Sequence, residues 1–212
     1  VKYIKLFENF EDYDPYELMI ISPNKKAEIL VSELEKGTKA NLNLVSDLIT
    51  LGANLDWQSV SGKTPLLLCA GINHVEILRM LIDAGADLNM KNNSGWAALH
   101  NCAYRKNCLE SAKMLIEAGA DVNIQKEDGS TALHLSVINQ YWKITELLIN
   151  NGADLNIQDE EGNTPLHIAS SNGLVDTTDL LLRNGADPSI QNNDGHTYKD
   201  VESRGYDYDL DL

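Results

Sequence analysis

Apolar pairs recur along the chain at Leu81-Ile82, Leu115-Ile116, Leu148-Ile149 and Leu181-Leu182, and each is followed within a few residues by Gly-Ala-Asp. A second apolar run opens further on in each unit, at Thr64-Pro65-Leu66, Ala97-Ala98-Leu99, Thr131-Ala132-Leu133 and Thr164-Pro165-Leu166. Between the two lies a polar stretch holding spaced apolar positions, Leu88/Met90, Val122/Ile124 and Leu155/Ile157. This pattern predicts two short helices per unit and an extended β-turn finger leading to the next unit. Threonine before the run supplies an N-cap, and proline at the first helical position sacrifices no hydrogen bond. The glycine after the apolar pair supplies a left-handed C-cap.

The spacing is nearly constant. The Gly-Ala-(Asp/Asn) phrase stands at Gly52, Gly85, Gly119, Gly152 and Gly185, with steps of 33, 34, 33 and 33, and a second glycine follows ten residues after each, at Gly62, Gly95, Gly129, Gly162 and Gly195. Self-similarity at this period marks a solenoid, in which each unit buries its apolar face on its neighbours. The pattern divides the chain into an acidic and aromatic N-terminal extension over 1–22 and a repeat domain over 23–212. The units fall roughly at 23–58, 59–91, 92–125, 126–158 and 159–191, with a partial capping unit over 192–212.

The first unit is degenerate. Ser22-Pro23 reads as a helix start, with a helix running through Ile29, Leu30, Leu34 and Lys36 to Gly37 and a second from about Leu42 to Leu51. Its Lys25, Lys26, Glu28, Glu33 and Glu35 suit the solvated cap that the end of a stack requires. Before it, Leu18-Met19-Ile20-Ile21 needs a place to be buried, which favours partial order in the extension. The third unit carries one extra residue, assigned to the turn Arg105-Lys106-Asn107-Cys108, which should bulge. The last unit places Tyr198 and Lys199 where the others have apolar residues, and its second helix shrinks to Tyr206-Asp207-Tyr208-Asp209-Leu210.

Thr164-Pro165-Leu166-His167-Ile168-Ala169 matches in full the Thr-Pro-Leu-His-x-Ala signature of ankyrin repeats, which are β-turn-plus-two-helix units of about 33 residues. Thr131-Ala132-Leu133-His134 and Ala97-Ala98-Leu99-His100 match in part, and Thr64-Pro65-Leu66-Leu67 lacks the histidine. Over roughly residues 27–205 the chain therefore resembles the ankyrin repeat family. The resemblance implies an all-α solenoid of about five helix-turn-helix repeats with β-turn fingers and a short C-terminal cap. It also implies that the signature histidines hydrogen-bond within and between turns.

Composition narrows the partners. A hydrophobic fraction of 43% suffices for thin Leu/Ile/Ala layers, and the formal charge of −15, which also serves solubility, argues against nucleic acid, whose phosphates reward basic patches. A charged partner would be basic. No apolar run approaches the ~18–20 residues of a membrane span, and VKYIKLFENFEDYDP has no signal-peptide core. Cys69 and Cys102 hold the same phase of adjacent repeats and read as small core residues, while Cys108 falls in a turn. Unpaired thiols point to a reducing, cytoplasmic compartment, and the chain is expected to be a monomer.

Chemical motifs fail one by one. Gly62-Lys63-Thr64 resembles the end of a phosphate-binding loop, but Trp57 stands where that loop needs glycine. His100, His134 and His167 occupy the signature position, and no second His or Cys stands at ligand spacing. The carboxylates at Glu127-Asp128 and Asp159-Glu160-Glu161 lie at finger tips, not in the desolvated cleft that acid–base catalysis needs. Neither a catalytic residue, a cofactor nor a metal site is expected.

What remains is a binding surface. In ankyrin proteins the fingers and the first helices form the concave face, so the resemblance makes the variable positions there the candidates. At the finger tips these include Val60, Ser61 and Lys63; Asn93, Ser94 and Trp96; Glu127, Asp128 and Ser130; and Glu160, Glu161 and Asn163. At the ends of the first helices they are Gly71, Ile72, Tyr104, Arg105, Ile138, Asn139, Ser171 and Asn172. Trp96 stands out, because its counterparts Lys63, Ser130, Asn163 and His196 are all polar; with Tyr104 and Arg105 it supplies the residue types enriched in interface hot spots. Trp57 replaces Met90, Ile124, Ile157 and Ile190 and reads as structural, whereas Trp142 fits either packing or a second exposed site. The leading expectation is a non-enzymatic protein–protein interaction module. The alternative is an acidic inhibitor or immunity-like protein that masks a basic surface of an enzyme.

Overall fold

A computed structural model of the chain describes residues 15–201. A short helix, α1 (Pro15–Ile20), precedes five helix pairs: α2 (Pro23–Leu34) with α3 (Leu42–Thr50), α4 (Pro65–Ile72) with α5 (Val75–Asp83), α6 (Ala98–Tyr104) with α7 (Leu109–Glu117), α8 (Ala132–Ile138) with α9 (Trp142–Asn150), and α10 (Pro165–Ser171) with α11 (Val175–Arg183). The helix α12 (Tyr198–Val201) opens a sixth unit. Among the described residues there is no strand. The all-α solenoid with fingers is the architecture found, and the readings placed on 1–14 and 206–210 lie outside the described residues.

Helices of seven to nine residues are marginal alone. Stacking holds them: Leu66, Leu99, Leu133 and Leu166 on the first helices, and Leu48, Leu81, Leu115, Leu148 and Leu181 on the second, are all buried in one continuous core. Full burial of such a side chain is worth ~1.5–3 kcal/mol. First helices pack more closely on one another than second helices do.

The recurring Gly-Ala phrase has a definite mechanical meaning. In the second unit the Ala86 amide donates to the Leu81 carbonyl at 3.1 Å, and the Gly85 amide donates to Ile82 at 3.0 Å, with Gly85 at φ 84°. This is the Schellman ending, in which the leucine of each apolar pair receives the bond and the alanine packs back on it. Ala120 repeats the bond to Leu115, Ala153 to Leu148 and Ala186 to Leu181.

At the N-terminal end, the helix α2 stops at Leu34, two residues short of the predicted end, because Gly37 at φ 67° starts a separate 3-10 turn. Its charges are not all solvated. Lys26 and Glu33 are buried, at 5% and 2% exposure. Lys26 Nζ donates to the Leu51 carbonyl at the end of α3 (2.6 Å), and Glu33 Oε1 accepts the Asn41 amide at its start (2.7 Å). A cation at the C-terminus and a carboxylate at the N-terminus both complement the dipole of α3. In the preceding helix Leu18 is buried, but Met19 and Ile20 are 60% and 78% exposed, contrary to the need for burial inferred for that run.

The extra residue of the third unit lies where the spacing places it. Arg105–Cys108 links α6 to α7 with Asn107 at φ 63°, one residue longer than the links Asn139–Tyr141 and Asn172–Leu174. Cys69, Cys102 and Cys108 are all buried and free.

Candidate binding face

The fingers form an ordered row because each is bonded to the next. The Asn93 amide donates to Ser61 O (3.3 Å), Glu160 to Asp128 O (2.8 Å) and Asn193 to Glu161 O (3.0 Å). Glutamine side chains add a second rail: Gln58 Nε2 donates to Lys91 O (2.8 Å) and Gln158 Nε2 to Gln191 O (3.0 Å). The contact is so close at the tips that a Cβ on Gly95 would stand 2.5 Å from the Glu127 amide nitrogen.

The signature histidines fasten this row to the first helices. Nδ1 of His100, His134 and His167 accepts the amide of the N-cap residue at 3.0, 3.1 and 3.2 Å. Nε2 of the same rings lies 3.3, 3.2 and 3.0 Å from the carbonyls of Ser130, Asn163 and His196 in the following finger. The arrangement requires the neutral ring with its proton on Nε2. Burial lowers the pKa of His100 and of His134 to about 4 against the hydrogen bonds that favour the charged form, and it lowers that of His167 as well. In the capping unit Asp200 takes over, with Oδ2 accepting from the Thr197 amide and hydroxyl at 2.8 and 2.7 Å.

Trp96 is half-buried at the root of the second described finger tip. The Tyr104 ring meets it edge-on at 5.3 Å between centroids and 85°, and His100 lies 6.2 Å away on the same cluster. Lys126 Nζ, from the next finger, sits 5.5 Å over the indole. The indole is thus clasped, not loose, in keeping with a residue that folds against the adjacent finger.

Lys126 is the part of this cluster that the candidate residues omit, although the sequence carries its signal. At the same position three residues before the second glycine, Asn92, Asp159 and Asn192 each use a side-chain oxygen to accept two amides of their own turn. Lysine has no acceptor. Asp128 does the turn's work instead, accepting the Ser130 amide at 2.9 Å and pairing with Lys126, whose ammonium also stands over Trp96. Burial raises the Asp128 pKa, but the hydrogen bonds from Lys126 and Ser130 outweigh it and the net shift is downward. Asp159 shifts the other way, up to about 6, because burial dominates and Glu161 and Asp128 add negative potential.

The other candidates divide by burial. Lys63, Arg105, Glu127, Glu160, Glu161 and Asn172 are exposed along the face, and Ile72, Tyr104, Asp128, Ile138 and Asn139 are half-buried in it. Ser130, Asn163 and Ser171 are corrections, at 6%, 2% and 8% exposure. Asn163 is covered because its Oδ1 accepts from Asn192 Nδ2 (2.9 Å), and Ser171 because its hydroxyl turns back to the Ile168 carbonyl (3.1 Å). Ser130 sits beneath the His100 contact. Trp142 is 45% exposed at the start of α9. Among the described residues no group of His, Cys, Asp and Glu is placed to hold a metal ion, and no helix is long and apolar enough to cross a membrane.

Comparison with known proteins agrees with this geometry. A family model described as ankyrin repeats (3 copies) matches residues 34–126 and 120–192. The chain is 31% identical over 68 residues to ankyrin repeat, SAM and basic leucine zipper domain-containing protein 1 of Carollia perspicillata, covering 32% of this chain and 14% of that one. It is 33% identical over 84 residues to neurogenic locus notch homolog protein 2 of Homo sapiens, covering 39% of this chain and 3% of that one. It is 39% identical over 89 residues to the Notch-regulated ankyrin repeat-containing protein of Xenopus tropicalis, 42% of this chain and 78% of the other. The first two relatives are therefore far longer than the stretch they share with this chain.

Proposed function

The chain belongs to the ankyrin repeat family, and we propose that it is a non-enzymatic interaction module that grips a protein partner along its fingers and concave groove. Ankyrin repeats are in general protein–protein interaction modules, so the proposal concerns where and how this one binds. The observation that carries it is Trp96. It is an aromatic residue at a register position that is polar in every other unit, held in a fixed orientation by Tyr104 and Lys126 and bordered by the exposed Arg105. An aromatic ring already ordered in the free protein loses little entropy on binding, which favours affinity. The test is the affinity of the Trp96→Ala/Tyr104→Ala variant for a partner captured from the source cells, with folding monitored by circular dichroism.

A second reading rests on charge. Glu127, Glu160 and Glu161 project from consecutive fingers of a chain whose formal charge is −15, which suits a basic surface on the partner, including that of an enzyme masked by the contact. Such binding weakens steeply with salt. The partner is a protein in both readings, and the compartment proposed is the cytoplasm.

A further inference from the structure

The first finger differs from all the others at two register positions, one by an aromatic in place of aliphatic residues and one by an apolar residue in place of polar ones. Five residues before its second glycine stands Trp57, where Met90, Ile124, Ile157 and Ile190 stand in the other fingers. Two residues before it stands Val60, where the others carry Asn93, Glu127, Glu160 and Asn193. Both departures line one cleft of about 550 Å³, between this finger and the outer face of α2. Val31, Glu28 and Glu35 of α2 line its other side.

The cleft arises where the row of fingers begins. In later units the amide two residues after the first glycine is taken by a side-chain oxygen of the preceding finger: Asp87 by Asp56 (2.9 Å), Asp121 by Asn89 (2.9 Å), Asp154 by Asn123 (2.7 Å) and Asp187 by Asn156 (2.8 Å). In the first, the Asn54 amide donates to the Pro23 carbonyl at the start of α2 (3.0 Å), so α2 closes the base of the finger. The tip is not closed by any described finger, and Val60 is 101% exposed there. The two asparagines at the Val60 position elsewhere bond to the finger before them, Asn93 Nδ2 to Val60 O (3.0 Å) and Asn193 Nδ2 to Glu160 O (2.8 Å). Among the described residues no finger stands before the first for Val60 to bond or pack against.

We propose that this cleft is a second docking site, distinct from the Trp96 cluster, for a partner segment that inserts an apolar side chain flanked by Lys or Arg. The volume falls within the ~300–1,000 Å³ of small binding pockets. Val31, Trp57 and Val60 receive the apolar group, and an aromatic wall is the residue type that most often anchors an interface. Glu35, exposed on the α2 side of the cleft, selects cationic flanks over acidic ones, and Glu28 adds less because Lys25 already pairs with it at 2.5 Å.

The test is selection of a random twelve-residue peptide display library on the full chain, followed by affinity measurement of the enriched peptides. Enriched sequences should carry Leu, Ile, Met or Phe within two residues of Lys or Arg. Their affinity should fall at least tenfold in Trp57→Ile/Val60→Asn, which restores what other fingers carry and so should fold normally. It should also fall in Glu28→Gln/Glu35→Gln and stay unchanged in Trp96→Ala/Tyr104→Ala, which separates this site from the groove. Absence of enrichment, acidic flanks, or affinity indifferent to Trp57→Ile/Val60→Asn overturns the assignment. A photo-cross-linker attached at Val60→Cys identifies the occupant directly: capture of the selected peptide supports the proposal, while capture of residues 1–14 of the same chain or of a second copy overturns it.

Discussion

His134 Nε2 lies 3.2 Å from the carbonyl oxygen of Asn163, a residue one unit further along the chain. The same ring accepts the Thr131 amide through Nδ1 at 3.1 Å. One buried side chain therefore caps its own helix and holds the next finger in place, and His100 and His167 repeat the arrangement. The binding face is made of fingers, so its geometry depends on these rings.

His134→Ala should lower stability by about 2–4 kcal/mol, because it leaves a cavity and strands a buried amide and a buried carbonyl. Urea denaturation followed by circular dichroism measures it. A loss below about 0.5 kcal/mol would show that the ring contributes little to the stack.

Acid should weaken the fold through these rings. In His100 and His134 the folded pKa of about 4 lies below the ordinary 6.5, so between those values the unfolded chain binds protons that the folded chain does not. Their stabilisation is complete above about pH 6.5 and is lost as pH falls toward 4, at most on the order of 3 kcal/mol per ring. Asp159 has the opposite sign: its folded pKa of about 6 lies above 3.8, so its contribution is present below 3.8 and lost as pH rises through 6. Stability measured from pH 7 to 4.5 should therefore fall. The fall should be shallower in His100→Gln/His134→Gln, where Gln can still accept the N-cap amide, and steeper in Asp159→Asn.

Gly95→Ala and Gly195→Ala should differ although both glycines have positive φ, 76° and 78°. Both pay the left-handed penalty of ~1–2 kcal/mol. Of the two, only Gly95 would have a Cβ that also meets backbone, at 2.5 Å from the Glu127 nitrogen, whereas no atom of the described residues lies within 4 Å at Gly195. Melting temperatures should show a clearly larger loss for Gly95→Ala. Equal losses would mean that neighbouring fingers separate easily.

Replacing the exposed carboxylates by Glu127→Gln/Glu160→Gln/Glu161→Gln separates the two readings of partner binding. If acidic fingers carry recognition, affinity falls and its salt dependence flattens. If the Trp96 cluster carries it, affinity changes less than about threefold between 50 and 300 mM salt, since apolar contacts are not screened by ions.

The fold was legible because its signals are periodic and agree with one another. Thr164 and Pro165 start a helix, Leu181 receives the bond that ends the next one, and Ala186 packs on it. Phase alone located the extra residue at Arg105–Cys108. Legibility fell where a side chain's use depends on an aperiodic neighbour. Lys26 and Glu33 read as end-cap charges, yet they clamp the two ends of α3, a contact set by the distance between helices. Ser130, Asn163 and Ser171 occupy variable positions, but small side chains there turn inward to bond the row. Lys126 was visible as a departure from the Asx residues at its position, though its seat over Trp96 could be found only in three dimensions.

The central claim is that the groove around Trp96 grips the partner. Titration calorimetry with a captured partner, comparing Trp96→Ala with Trp142→Ala, tests it most directly, because Trp142 is the more exposed tryptophan and lies on a second helix. The predicted result is an affinity at least tenfold lower for Trp96→Ala, with Trp142→Ala unchanged. Unchanged affinity in a folded Trp96→Ala variant, or a loss confined to Trp142→Ala, would contradict it.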